Sequence, residues 1–337
     1  MEAEAGVTFE GASKLRRNGA GSDRALGYAP VEPAPDDRSL DSRRRKASRV
    51  DLTKSTPQSP YAKTGHIVFV PRTLDKVRAE IAGTLGEYHW RVGMSMRLLD
   101  FLEIEAEELL RAVEEEEDDK AVWDRVRDKA KPRSKIEIAG FNESMIEGHP
   151  ETEEQRSRHR DFVAGAGVTD DLEAVAEEMT IFERLELDDG RETEMGGGEM
   201  DLTTGIPRSP YERMLGMVFL PRTIDKARAE LAGKEGEYLF RTGYSASGME
   251  VLGISPEQLF EALRGHSTDE DIRGWIADKR ESRTDLEIAK FNREAIERRA
   301  NTPEQIEWHR NYLTGIGLAE LADIVTSVER LEWDEGR

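Results

Sequence analysis

The 337-residue chain contains no cysteine. That excludes disulfides, thiol nucleophiles, iron–sulfur clusters and Cys-type zinc sites. Nor is there an apolar run near the roughly 20 residues that a membrane-spanning helix needs. Positive charge is in deficit, with 49 Lys and Arg against 70 Asp and Glu and a formal net charge of −21. Phosphate backbones and anionic membrane surfaces are bound by clustered Lys and Arg, so neither nucleic acid nor a membrane is an expected partner. The opening Met1-Glu2-Ala3-Glu4 places acid where a secretory signal needs base, and no apolar segment follows, which points to the cytoplasm. No His-x-x-x-His or Glu-x-x-His pattern, Walker loop or EF-hand spacing occurs, so neither a metal nor a cofactor is expected.

What the sequence does have is repetition. Asp51-Leu52-Thr53 returns as Asp201-Leu202-Thr203, and Pro71-Arg72-Thr73-Leu74-Asp75-Lys76 returns as Pro221-Arg222-Thr223-Ile224-Asp225-Lys226. Gly86-Glu87-Tyr88 becomes Gly236-Glu237-Tyr238, Phe141-Asn142 becomes Phe291-Asn292, and His159-Arg160 becomes His309-Arg310. The spacing stays constant until a short gap is needed to align Glu183-Arg184-Leu185-Glu186 with Glu329-Arg330-Leu331-Glu332. Solenoid repeats run about 20–50 residues, so a repeat of this length is a duplicated domain. The copies span residues 51–187 and 200–337. Residues 188–199 form an acidic linker whose Gly196-Gly197-Gly198 reads as a flexible tether. Residues 1–49, poor in large apolar side chains and ending in a basic run at Arg43–Lys46, read as a disordered tail. The second copy opens at Met200 and the first at Val50; a valine start there would leave residues 1–49 untranslated.

Within each copy the apolar periodicity is helical. Ser255-Pro256-Glu257-Gln258, Thr302-Pro303-Glu304-Gln305 and Thr152-Glu153-Glu154-Gln155 carry helix N-terminal capping signals. Helices are predicted in the first copy near 71–83, 95–102, 105–116, 119–130, 135–147, 153–165 and 170–186. The fold class is therefore mainly α, two homologous domains of six to seven helices each. A short extended segment is expected at Glu87–Val92 and Glu237–Thr242, where aromatic residues alternate with others, and His66-Ile67-Val68-Phe69 is its plausible partner strand.

Residues kept by both copies are the candidates for function. On a helix starting at Pro71, Arg72 and Lys76 share a face one turn apart. Adding Glu87, Tyr88 and Arg91 gives a pocket for a carboxylate or phosphate, near first-turn amides that attract anions. The second copy repeats the set as Arg222, Lys226, Glu237, Tyr238 and Arg241. The competing explanation is structural, an ion-pair lattice of Asp75–Arg78 and Lys76–Glu80. His159 and His309, the only histidines shared by the copies, lack companion ligands and read as hydrogen-bonded boundary residues. Asn142 and Asn292 read as buried, satisfied amides.

The block Asp201-Leu202-Thr203, Pro207-Arg208-Ser209-Pro210, Leu220-Pro221-Arg222, Asp225-Lys226-Ala227-Arg228-Ala229 and Gly236-Glu237-Tyr238 resembles a bacterial family known as domain of unknown function 5069. The first copy is similar to it as well, with Gln58 in place of the arginine, and the resemblance covers nearly all of residues 50–337. It implies a small bacterial helical domain, in a tandem form where the family is usually single-copy, and supplies no activity, cofactor or catalytic residue. The expected function is a non-catalytic interaction or small-ligand-binding module. The alternative is an enzyme acting on a small anionic metabolite, with Glu87 or Tyr88 as acid or base. The two copies are expected to pair as an intramolecular pseudo-dimer; no protein partner can be named.

Overall fold

The computed structural model describes residues 50–116, 118–193 and 196–337. The tail at 1–49 lies outside them. The first copy runs β1 (Lys63–Thr64), β2 (Ile67–Val68), α1 (Val70–Ala82), α2 (Gly93–Leu102), α3 (Ala106–Glu115), α4 (Asp119–Lys129), α5 (Lys135–Ile146), α6 (Glu153–Gly165), α7 (Leu172–Glu178) and α8 (Ile181–Asp188). The second runs β3 (Arg213–Met214), β4 (Met217–Val218), α9 (Leu220–Leu231), α10 (Gly243–Leu252), α11 (Pro256–Gly265), α12 (Asp269–Arg280), α13 (Asp285–Glu297), α14 (Pro303–Gly315), a 3₁₀ turn (Ala319–Leu321) and α15 (Ser327–Asp334). The fold is mainly α, as expected.

The caps place the helix starts. Thr152, Ser255 and Thr284 each accept from the N3 amide while the N3 side chain answers the cap's own N–H. The single helix expected over 170–186 is two, α7 and α8, because Thr180 and Glu183 form a further capping box between them. The extended pairing also differs. The strand partner of Ile67–Val68 is Lys63–Thr64, and residues 84–92 form turns. Gly65 and His66 both have positive φ, 60° and 65°, as do Leu215 and Gly216 at 54° and 77°. Such tight two-residue turns match the twist of flanking strands and close hairpins.

The described chain forms two compact units, and their boundary falls inside α5, between Ile138 and Ala139, not at the linker. The later unit holds the end of the first copy and all of the second. Here the copies meet reciprocally. Ala289 of α13 packs into a buried cluster of Val163, Val168, Val175, Ala176 and Met179. Its counterpart Ala139 packs into Leu313, Leu318, Leu321 and Val325. The polar edge repeats the exchange: Arg299 bonds Glu147 at 2.7 Å, and His149 lies 3.4 Å from Glu297. Positions 147 and 149 correspond to 297 and 299. Residue i of one copy thus meets j of the other while j meets i, the hallmark of an isologous interface.

The described residues of the linker are docked rather than free. The Thr193 amide donates to Arg213 O (2.7 Å), the Gly196 amide to Asp269 Oδ2 (2.9 Å) and the Gly198 amide to Ser267 O (3.0 Å). A Cβ on Gly197 would lie 2.9 Å from both Ser267 O and Thr268 Cα. At this glycine the sequence serves close approach of two backbones, not slack.

Candidate functional site

The shared residues on α1 and α9 are buried. Arg72, Asp75 and Lys76 are 1%, 7% and 7% exposed, and Arg222, Asp225 and Lys226 are 0%, 1% and 0%. In the second copy Arg222 reaches Glu335 through both terminal nitrogens (3.0 and 2.5 Å) and donates to Arg208 O at 3.0 Å. Its guanidinium stands 5.6 Å from the Tyr238 ring centroid. Lys226 Nζ donates to Leu239 O at 3.0 Å. In the first copy Arg72 and Lys76 each stand 5.9 Å from the Tyr88 ring. The structure therefore brings Arg72 and Lys76 together at the Tyr88 ring, and Arg222 to the Tyr238 ring. Burial, with the charge of Glu335 adding to it, pushes the Tyr238 phenol above its ordinary value, so it stays protonated.

Arg91 and Arg241 are engaged elsewhere. Arg91 pairs with Glu107 (2.8 Å) and Glu80 (3.3 Å), and Arg241 with Glu257 (2.9 Å) and Glu230 (3.0 Å). Glu87 and Glu237 are exposed, and neither makes a hydrogen bond or ion pair with a described residue. The ion-pair lattice exists with different members: Arg78 bonds Asp119, and Arg228 bonds Asp269 (2.5 Å). Arg208 adds a second cation, 2.7 Å from both Asp225 and Asp269. The first copy has Gln58 at that position, and burial raises the Asp75 pKa although the Gln58 backbone and side-chain amides both donate to it.

Sequence reasoning missed a cavity of about 420 Å³ in the 139–337 unit. Its apolar floor is the reciprocal interface itself: Val168, Val175 and Met179 from the first copy, Ile288 and Ala289 from the second. Around that floor stand Arg191, Arg213, Arg273 and Arg280 against Glu186, Glu192 and Asp285. Four cations against three carboxylates invert the local charge of a chain whose net charge is −21. Arg280 is spent on Asp285 (2.5 Å) and Leu215 O (3.3 Å), and Arg191 lies 3.3 Å from Glu186. Arg213 approaches Glu183 at 3.5 Å, where burial nevertheless raises the carboxyl pKa. Arg273 is the least engaged: its Nε is buried, has no hydrogen-bond partner among the described residues and lies 3.8 Å from Glu192.

The hairpin beside this cavity is fixed by Asn292, which accepts from the Val218 amide (3.1 Å) and donates to Gly216 O (2.8 Å). It is the buried, satisfied amide expected from the sequence. The copies have diverged around the cavity. Arg273 and Arg280 correspond to Trp123 and Ala130, and Leu215 to Gly65. The Trp123 ring fills the space beside Gly65, where a Cβ would lie 2.5 Å from Cζ2. Because these arginines are not shared, a search restricted to residues common to both copies passes over them. Arginines present in one copy and absent from the other were the signal available.

A second cleft, about 390 Å³, is lined by His149, Arg156, His159, Arg160 and Arg293. Its arginines are neutralised, Arg160 by Glu173 (2.9 Å), Arg293 by Glu178 (3.1 Å) and Arg156 by Glu153 (3.3 Å). His159 and His309 are each 4% exposed, and burial, with the nearby Arg184 and Arg330 respectively, lowers both to about 4. Among the described residues no group of three or more His, Asp or Glu is placed to hold a metal ion, and no helix is long and apolar enough to cross a membrane.

No curated protein matches this sequence. The family described as Domain of unknown function (DUF5069) matches twice, over residues 54–191 and again over 204–337. With both matches together covering most of its length, the chain belongs to that family, as a tandem duplication of its domain.

Proposed function

We propose that the protein is a non-catalytic, cytoplasmic small-ligand-binding module of bacterial origin, and that its ligand is an amphipathic anion held in the 420 Å³ cavity. The observation that carries this reading is the pairing of an aliphatic floor with four arginines, among them Arg273, whose Nε bonds no described residue. The volume lies within the roughly 300–1,000 Å³ typical of small-molecule pockets, which join apolar walls to a few placed polar groups. An apolar body would cover Val175, Met179 and Ile288, while its charged end would meet Arg273. The reciprocal contacts support a second element of the reading: the duplication fuses two subunits that a single-copy member would bring together as a homodimer.

Isothermal titration with octanoate, and with 1-octanol as the uncharged control, tests the site. Octanoate is expected to bind the wild type and to bind Arg273→Ala about tenfold more weakly or worse, the loss expected for one charge-assisted contact. Octanol is expected to bind far more weakly than octanoate. Absence of octanoate binding at millimolar concentration, or an unchanged affinity in Arg273→Ala, would remove the proposal.

A further inference from the structure

The tip of the β3–β4 hairpin presents two consecutive backbone amides toward one side chain. The Leu215 amide donates to Glu192 Oε2 at 2.7 Å and the Gly216 amide to Glu192 Oε1 at 3.3 Å. One carboxylate is thus bound edge-on by two neighbouring N–H groups. Both residues have positive φ, 54° and 77°, which turns their amides to the same side. Successive amides in such turns form an anion-binding concavity. Arg273 Nε stands 3.8 Å from the same carboxylate, buried and without a hydrogen bond to any described residue. Glu192 belongs to the linker, and all three partners belong to the second copy. Glu192, Leu215, Gly216 and Arg273 all line the cavity.

We infer that the hairpin tip and Arg273 form a carboxylate-binding subsite of the cavity, which in the resting chain is filled by Glu192 as a tethered stand-in for a ligand carboxylate. The inference rests on the cavity reading and specifies its ligand class: a monocarboxylate with an apolar tail. The stand-in matches that head group in charge, planarity and two-oxygen geometry. Its hold is incomplete, because Arg273 lies beyond hydrogen-bonding distance and Glu192 is 30% exposed at its side chain. A free carboxylate that reached Arg273 directly would gain a charge-assisted bond that Glu192 does not make. The linker holds the stand-in in place on one side through the Thr193 amide on Arg213 O at 2.7 Å. Ligand entry therefore requires displacement of one side chain, while the backbone of the strap remains docked. A tethered competitor lowers the apparent affinity by the fraction of time that it occupies the site.

The test compares the full-length wild type with Glu192→Ala and Glu192→Gln by thermal midpoint and by octanoate titration. Acetate is the probe of the subsite alone. Acetate at tens of millimolar is expected to raise the midpoint of Glu192→Ala and to leave the wild type unchanged, since only the variant has a vacant carboxylate position. Octanoate is expected to bind Glu192→Ala at least tenfold more tightly than wild type, with Glu192→Gln between them. If acetate fails to raise the midpoint of folded Glu192→Ala and octanoate binds variant and wild type equally, the subsite inference is overturned while the cavity reading stands. If octanoate binds neither protein, the cavity reading fails, and the acetate result alone then decides the subsite. Far-UV circular dichroism establishes that each variant is folded, and Glu192→Gln, which keeps the shape and loses the charge, serves if the alanine variant is not.

Discussion

The Arg222–Glu335 pair offers the sharpest test of how the charged residues of α9 are used. The Arg222 side chain is 0% exposed and that of Glu335 3%, and the two are joined through both terminal nitrogens. Removing one member of such a pair leaves an uncompensated buried charge, which costs about 3–5 kcal/mol. For Arg222→Ala the lower end applies, about 3 kcal/mol, because Arg337 also stands 3.2 Å from Glu335 and keeps part of its compensation. Glu335→Ala leaves the guanidinium with Arg208 O and the Tyr238 ring, so about 4 kcal/mol is expected. Arg222→Met/Glu335→Leu removes both charges and restores apolar volume, which is close to neutral in comparable buried pairs. The double variant should therefore lose much less than the two single losses together, a coupling of several kcal/mol where independent sites would add. Urea denaturation at pH 7 of wild type, both singles and the double closes the cycle. Single losses below about 1 kcal/mol that simply add would match an exposed surface pair instead and would refute the burial argument. An arginine reserved for a ligand would behave differently again, with binding lost and stability hardly changed.

Three further outcomes follow from the same contacts. His159 and His309 titrate near 4 in the folded protein, against the usual 6.5. Between those pH values the unfolded chain binds protons that the folded chain refuses, so stability is full above pH 6.5 and falls as pH drops toward 4, by on the order of 2–3 kcal/mol per histidine. Urea midpoints at pH 7, 5.5 and 4.5 should show a shallower decline in His159→Gln/His309→Gln than in wild type; equal slopes would count against buried neutral imidazoles. Gln58→Arg transplants the second copy's Arg208 to face Asp75, whose raised pKa means that its ionised form disfavours the folded state. A gain of about 1–2 kcal/mol in urea unfolding is expected, with a comparable loss for Arg208→Gln; a destabilised Gln58→Arg would contradict the correspondence. Ala139→Asp and Ala289→Asp each place a carboxyl in an aliphatic cluster and should each cost about 2–3 kcal/mol. Loss in only one of them would show that the two clusters are not equivalent.

The helices were legible because their signals are local. Ser255 with Gln258 and Thr284 with Glu287 lie three residues apart, and the bonds that they predict are the bonds observed. Thr180 with Glu183 carries the same signal, yet one helix is expected over 170–186 where there are two. The hairpins were harder to read, since strands of two residues have no period and Gly65-His66 is not among the strong hairpin dipeptides. Charge on α1 and α9 misled in another way. Arg222 and Lys226 are spaced as on an exposed polar face, yet both are 0% exposed, because Glu335 and the Leu239 carbonyl lie where no local pattern can show them. The cavity needed two kinds of information, the pairing of the copies and the identity of residues that the copies do not share.

That last point bears on how a duplicated domain acquires a site. The floor of the cavity uses residues with counterparts in both copies: Val168 and Leu318, Val175 and Leu321, Met179 and Val325, Ala289 and Ala139. Such positions are constrained by packing, because each serves the same reciprocal interface twice, and a volume change there is felt by the surrounding side chains. The rim is under no such constraint. Its arginines at 273 and 280 correspond to Trp123 and Ala130 in the register of the repeat, and Trp123 packs on Gly65 of the first copy's hairpin. In a homodimer the two rims would be one sequence and would change together. A fused pair frees a position to carry a cation in one copy, as at Arg273, while the other copy carries an indole there, as at Trp123. On the proposed reading, binding specificity belongs to the positions where the two halves differ, and the residues that they share chiefly keep the halves folded and joined.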